Sequence, residues 1–487
     1  MPSKKLIQLL NTFSSHEQDK FKLFLNSSYH NDNQDLKTLY KIISPHLTKK
    51  ERIEDLLIKQ LSKQYVWAIL FPNDVYNDLK IRRLCSDLTK AGFLFLRFEY
   101  QEHDEMENTL SLMKIMSERR LDKHYRGMLR SFESLNSNLT TKNADYYLLN
   151  YQFESLQYAH AERDSVPLEQ MSHLEKADYN LEVFYWIQKL RHFCDYLSYQ
   201  QFVSSKVSLQ NTVDILAHIG QSSLLEHLLI QAYYNVALML TDLESEVHFH
   251  TLRALLEKEH AHFSQKELKT LFIYLNNYCI TAKINAGDSR FFKELFQNYR
   301  FMLEHELMVV NETIASQDFK NIITVGLRIG EYQWVESFIQ EYAKKLSEEN
   351  QQIAMTYNLA KLYFHQKKYD QVIEQLREVA YNNNVEIPYS SHVYTLGSKQ
   401  ILLKTYYELD EILPLDSLIE SFRTYIRRSK IISKETRMQY LSFLKYVKKL
   451  SRQDPKDKEK INKLKKEIVE SSGIAQKGWL LEKIKAV

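Results

Sequence analysis

The chain has 487 residues, 44% of them hydrophobic and 26% charged, with a formal net charge of +3; this leaves room for about three domains and excludes global disorder. Glycine and proline number only 9 and 7, far below average use, which argues against turn-rich β architectures and predicts long helices with few special turns. Three widely spaced cysteines, Cys85, Cys194 and Cys279, give neither a disulfide framework nor a zinc ribbon and fit a reducing, cytoplasmic compartment.

The opening MPSKKLIQLLNTFSS is too short and too polar for a secretory signal. The apolar run Tyr65–Phe71, YVWAILF, cannot span a bilayer, so no membrane partner is expected. Four capping boxes, in which Ser or Thr accepts from a backbone N–H and Glu returns the bond, are predicted at Ser14/Glu17, Thr48/Glu51, Ser172/Glu175 and Ser264/Glu267. Phe21, Phe24 and Leu25 follow the first, and Ile53, Leu56 and Leu57 the second, at the spacing that gives a helix one apolar face. Gly92–Tyr100, GFLFLRFEY, alternates like a strand but has no partner strand nearby, so a helix is expected. The FPND stretch after Leu70 reads as a turn. Pro167 should precede the helix led by Ser172, and Pro388 and Pro414 should separate helices.

Tyr357–Val379, YNLAKLYFHQKKYDQVIEQLREV, holds two amphipathic runs around the polar turn His365–Lys368. Thr356, Leu359, Ala360 and Tyr363 share one face of the first run; Tyr369, Val372, Leu376 and Val379 share one of the second. Thirty-seven residues earlier, Gly330, Glu331 and Tyr332 align with Lys367, Lys368 and Tyr369; forty-three later, Leu402 and Tyr406 align with Leu359 and Tyr363, and Leu418–Phe422 then matches Val372–Leu376. The pattern resembles a tetratricopeptide repeat, with Leu359, Ala360 and Tyr363 in the L-G-x2-Y slots and Val372 and Leu376 in the A-x3-F slots. The whole chain also resembles a group of uncharacterised Bacteroidetes-type bacterial all-α proteins, through Ser14–Asn31, Leu70–Leu88 and Gly478–Ile484. Together these resemblances imply an all-α fold: an N-terminal helical region over 1–140, an irregular α-solenoid of tetratricopeptide-like hairpins over 141–430, clearest over 311–430, and a basic helical end over 431–487. In such a repeat the first helix lines the concave side, so Tyr357, Lys361, Phe364 and His365 are candidate groove residues for a protein or peptide partner.

The charge is unevenly placed. Residues 423–487 carry 19 Lys/Arg against 7 Asp/Glu, the preceding 422 carry 46 against 55. Arg423, Arg427, Arg428, Lys430, Lys445, Lys448 and Lys449 therefore form a candidate basic patch for nucleic acid, against the commoner reading of a solvated cationic face. His248, His250, Glu257 and His260 are weak metal candidates: Glu257 and His260 share a helix face, but a second such pair is missing. No G-x-G or G-x-S-x-G occurs, and Gly473 and Gly478 have P-loop spacing with Trp479 where lysine is needed. A turn before a terminal helix that packs Trp479 and Leu480 accounts for that stretch. The cysteines sit in apolar helical settings and read as buried structural thiols. No catalytic residue or cofactor is expected, and a non-enzymatic helical-repeat scaffold is the leading reading.

Overall fold

The computed structural model describes residues 4–47, 62–102, 104–163, 167–200, 212–381, 389–429, 432–454, 457–471 and 473–486. Among these the chain forms 23 α-helices and one tiny pair of strands. It separates into two compact units, residues 1–184 and 185–487.

The first unit contains α1 (Lys4–Asn11), α2 (Ser15–Asn26), α3 (Gln34–Ile43), α4 (Lys63–Leu70), α5 (Asp78–Glu102), α6 (Glu105–Glu118), α7 (Asp122–Ser137), α8 (Ala144–Arg163) and the start of α9 (Pro167–Gln200). GFLFLRFEY lies within α5, helical as expected. The α1–α5 core is apolar and strongly aromatic. Phe21 meets Phe13 edge-on at 5.4 Å, Tyr40 at 4.9 Å and Phe95 at 5.2 Å between centroids, geometries that suit the ring quadrupoles. Met113, Tyr125 and Phe132 fill a second cluster under α6–α8.

The second unit continues with α10 (Thr212–Gly220), α11 (Leu228–Thr241), α12 (Val247–Glu259), α13 (Gln265–Asn277), which runs on as a π-helical turn over Tyr278–Ile284, and α14 (Phe291–Glu304). β1 (Val309–Val310) and β2 (Thr313–Ile314) follow, then α15 (Ser316–Ile329), α16 (Tyr332–Tyr342), α17 (Glu348–His365), α18 (Tyr369–Tyr381), α19 (Tyr389–Glu408), α20 (Ile412–Arg428), α21 (Lys434–Leu450), α22 (Lys458–Glu470) and α23 (Lys477–Ala486). The strand pair was not anticipated. Asn311 and Glu312 both take positive φ, the two-residue turn that closes a hairpin without glycine.

Six helix ends share one stop. Arg120, Gly287, Glu306, Gly330, Lys367 and Asp410 adopt positive φ. In each case the next residue's N–H reaches back five positions, as in Glu331 to Gly326, Lys368 to Tyr363 and Glu411 to Tyr406. This Schellman closure satisfies carbonyls that a helix end would otherwise leave open. Only two of the six are glycine, so a glycine-poor chain still makes tight helical turns. Three of the stops, Gly330, Lys367 and Asp410, join α15 to α16, α17 to α18 and α19 to α20.

The capping boxes came out differently from one another. Ser14/Glu17 is complete in both directions. At Ser264/Glu267 only the serine half forms, because the Glu267 carboxylate turns inward to accept from Tyr233 at 2.6 Å and faces Arg191. Ser172 is no cap at all. The helix starts five residues earlier at Pro167, whose missing N–H costs nothing in the first turn. Pro414 likewise sits in the first turn of α20 rather than between helices. Thr48/Glu51, the apolar run after it and Pro388 lie outside the described residues.

Leu359, Ala360, Val372 and Leu376 are buried, as their spacing predicts. Ala360, Val372 and Leu376 join one core with Phe422, Tyr425, Phe443, Val447, Ile468, Leu480 and Ile484. The C-terminal helices α21–α23 are thus built into the same core as the hairpins. Trp479 packs against Tyr407 and Phe443, and Leu480 is fully buried, which is the packing role expected for that stretch. All three cysteines are buried.

Candidate functional site

The aligned hairpins place three residues, four apart, at matching positions on three first helices: Lys320, Thr324 and Arg328 on α15; Tyr357, Lys361 and His365 on α17; Gln400, Lys404 and Glu408 on α19. A spacing of four puts each trio on one helix face. α17 packs against both α15 and α19, and the polar contacts run between the strips. Lys361 Nζ donates to Thr324 Oγ1 at 2.9 Å. Lys404 Nζ donates to Gln476 Oε1 at 2.5 Å. Glu408 accepts from Lys483 at 2.7 Å and from Trp479 Nε1 at 3.3 Å, so α23 covers the end of the α19 strip.

Two of the four groove candidates, Lys361 and His365, stand in this strip. Tyr357 shares its register, but its ring is wedged between helices: a Cβ at Gly397 would lie 2.5 Å from Tyr357 Cε2, and Tyr394 meets the ring at 5.5 Å. Phe364 turns toward Tyr369 of α18. Lys320, Arg328, Lys399 and Lys404 were not singled out from sequence. The offset of 43 residues that pairs Leu359 with Leu402 also pairs Lys361 with Lys404, and that signal was available.

Electrostatics mark the same place. Burial, with Lys320 adding repulsion, pushes the Lys361 ammonium down to about 8. Burial does the same to Lys404 and to Lys399. His365 is lowered by burial first, then by Lys361, Lys404 and Arg328. Lys320, Arg328, Lys361, His365 and Lys404 therefore act on one small region. Among the described residues neither Lys361 nor Lys404 has a carboxylate at ion-pair distance; their close partners are a hydroxyl and an amide. α19 also buries Thr395, Ser398, Lys399, Gln400 and Thr405, a costly set for a helix interior. What such a strip can do chemically is hold an anion, since recessed ammonium groups attract charge more strongly than exposed ones.

The other candidates are placed as follows. Arg423 and Lys448 both donate to Glu420, at 2.7 and 3.2 Å, and Lys449 donates to Glu467 at 2.6 Å. Arg427, Arg428 and Lys445 are exposed on α20 and α21, and Lys430 lies outside the described residues. Part of the basic patch is thus neutralised by its own neighbours. His248 and His250 sit at the start of α12. His250 faces Glu246 at 3.9 Å, Glu257 accepts from Arg253 at 2.8 Å, and His260 contacts the rings of Phe301 and His305. Among the described residues no group of three His, Cys, Asp or Glu side chains is arranged to hold a metal. Burial pushes the Cys194 and Cys279 thiols up, which opposes formation of the thiolate that nucleophilic chemistry uses. No described helix is long and apolar enough to cross a membrane.

A scan against protein-family models, a search of curated proteins and a search of solved structures each return no match.

Proposed function

We propose that the chain is a non-enzymatic helical-repeat scaffold. Its hairpins α15–α16, α17–α18 and α19–α20 act as tetratricopeptide-like units, and the strips on α15, α17 and α19 line a groove for a protein or peptide partner. One observation carries this reading: three successive hairpins use the same backbone stop and present the same helix positions, spaced 37 and 43 residues apart. A hairpin that repeats its neighbour's geometry stacks on it and extends a common surface.

The full chain is the right object to test, because residues 423–487 supply Phe443, Val447 and Leu480 to the hairpin core. A photo-reactive benzoyl-phenylalanine placed at His365 should cross-link a specific cytosolic protein that survives nuclease. The same group at exposed Leu413, on the second helix of the third hairpin, should not. Recovery of nuclease-sensitive material alone, lost when Arg427, Arg428 and Lys445 become Glu, would replace the scaffold with a nucleic-acid-associated regulator using the basic end.

A further inference from the structure

The strip holds four cations, a histidine whose charged form burial and these cations disfavour, and a single acid. Lys320 and Arg328 come from α15, Lys361 and His365 from α17 and Lys404 from α19. The acid, Glu408, is already bound by Lys483 and Trp479, and Glu482 of α23 acts on Lys404 from outside the strip without reaching ion-pair distance. Cations gathered in this way repel one another, and a folded chain tolerates that arrangement best where an anion completes it. Lys404 is only 9% exposed. A carboxylate on a short flexible stem can reach a group so recessed, whereas a phosphodiester flanked by sugars and bases is too bulky to follow. Thr324 and Gln476 already orient the two lysine heads, so part of the ordering cost of binding is met beforehand.

We propose that the partner segment held by this strip is an acidic peptide, with carboxylate side chains meeting Lys361 and Lys404 in turn. The inference rests on the groove reading above. Packed helix axes lie about 8–10 Å apart, and a polyproline II chain advances about 3.1 Å per residue with three residues per turn. Carboxylates three residues apart on such a segment point to the same side, about 9 Å apart, and would therefore meet lysines on adjacent helices. Glu408 closes the far end of the strip to further acid and sets where the acidic run stops.

The test uses the full chain and three labelled probes: a Gly/Ser peptide with Glu at every third position, the same peptide with Gln, and oligouridylate. The Glu peptide should bind at least about tenfold more tightly than the Gln peptide, and Lys361→Met and Lys404→Met should each weaken it by about tenfold or more. Both variants keep the side-chain volume, and their thermal midpoints should hold or rise, which a merely structural role for these lysines would not allow. Equal binding of the Glu and Gln peptides, no binding of either, or unchanged affinity in both Met variants overturns the proposal. So does oligouridylate binding more tightly than the Glu peptide through the same two lysines. If the peptides fail while the cross-link at His365 persists, the groove stands and its acidic occupant falls. If the cross-link fails but the Glu peptide binds through both lysines, the anion site stands without the scaffold.

Discussion

Around Phe21, in the first unit, the contacts are rings and aliphatic side chains: Phe13, Phe24, Tyr40 and Phe95 surround it. Around α19, in the second unit, Thr395, Ser398, Lys399, Gln400, Lys404 and Thr405 are buried instead, and the Ser398 hydroxyl has no hydrogen-bond partner among the described residues. The first arrangement gains from removing hydrocarbon from water. The second gives up stability, because a buried polar group without full compensation is costly. A sequence that builds one interior so well and another so expensively is answering two demands, and the expensive one coincides with the cationic strip.

The sharpest blow to the hydrocarbon side is Phe21→Ala. It removes the ring from a fully buried site and should cost about 3–5 kcal/mol in denaturant unfolding. A loss below about 1 kcal/mol would mean that this core is far looser than its packing.

On the polar side Lys404→Met should act in the opposite sense. Lys404 binds its proton more weakly in the folded chain, at about 8, than at the ordinary 10.5. The unfolded chain therefore holds more protons between those values, and folded stability rises with pH through that window. The Met variant lacks this dependence. It should be more stable than the parent by up to about 3 kcal/mol below pH 8, and the gap should close as pH climbs to about 10.5. A gap that stays constant with pH would show that Lys404 is not charged in a desolvated setting.

Glycine substitutions separate close packing from open helix. Gly397→Ala drives a methyl into the Tyr357 ring and should cost about 1–3 kcal/mol. Gly127→Ala on α7 meets nothing within 4 Å and should gain about 0.5–1 kcal/mol. Equal effects would deny the close approach of α17 and α19. The smallest change compares the shared helix stops. Lys367→Gly and Arg120→Gly each relieve a left-handed non-glycine residue. Each should raise stability by up to about 1 kcal/mol in thermal unfolding, in the two units alike.

Much of the second unit could be read from residue spacing. The match of Leu359, Ala360, Val372 and Leu376 to a hairpin, and its counterpart at an offset of 37, located two of the three turns, because apolar periodicity is a local property of the helix; the third was expected around Pro414, which instead lies in the first turn of α20 after the stop at Asp410. Helix starts were legible less evenly. Ser14 capped its helix, but Ser172 did not, since Pro167 offered an earlier start. Glu267 abandoned its cap for Tyr233 and Arg191, a choice made by side chains more than thirty residues away.

The amino-acid sequence by itself determined that the described chain is helical, where the hairpins at Gly330 and Lys367 turn, and that its cysteines and Leu480 are buried. These follow from composition, periodicity and short-range backbone bonding. Only the tertiary structure decided that Lys361 and Lys404 are recessed beside Thr324 and Gln476, that Tyr357 is wedged against Gly397, and that Glu420 and Glu467 answer part of the basic end. Charge acts through space between residues far apart in the chain, so its pairing is fixed by how the helices pack.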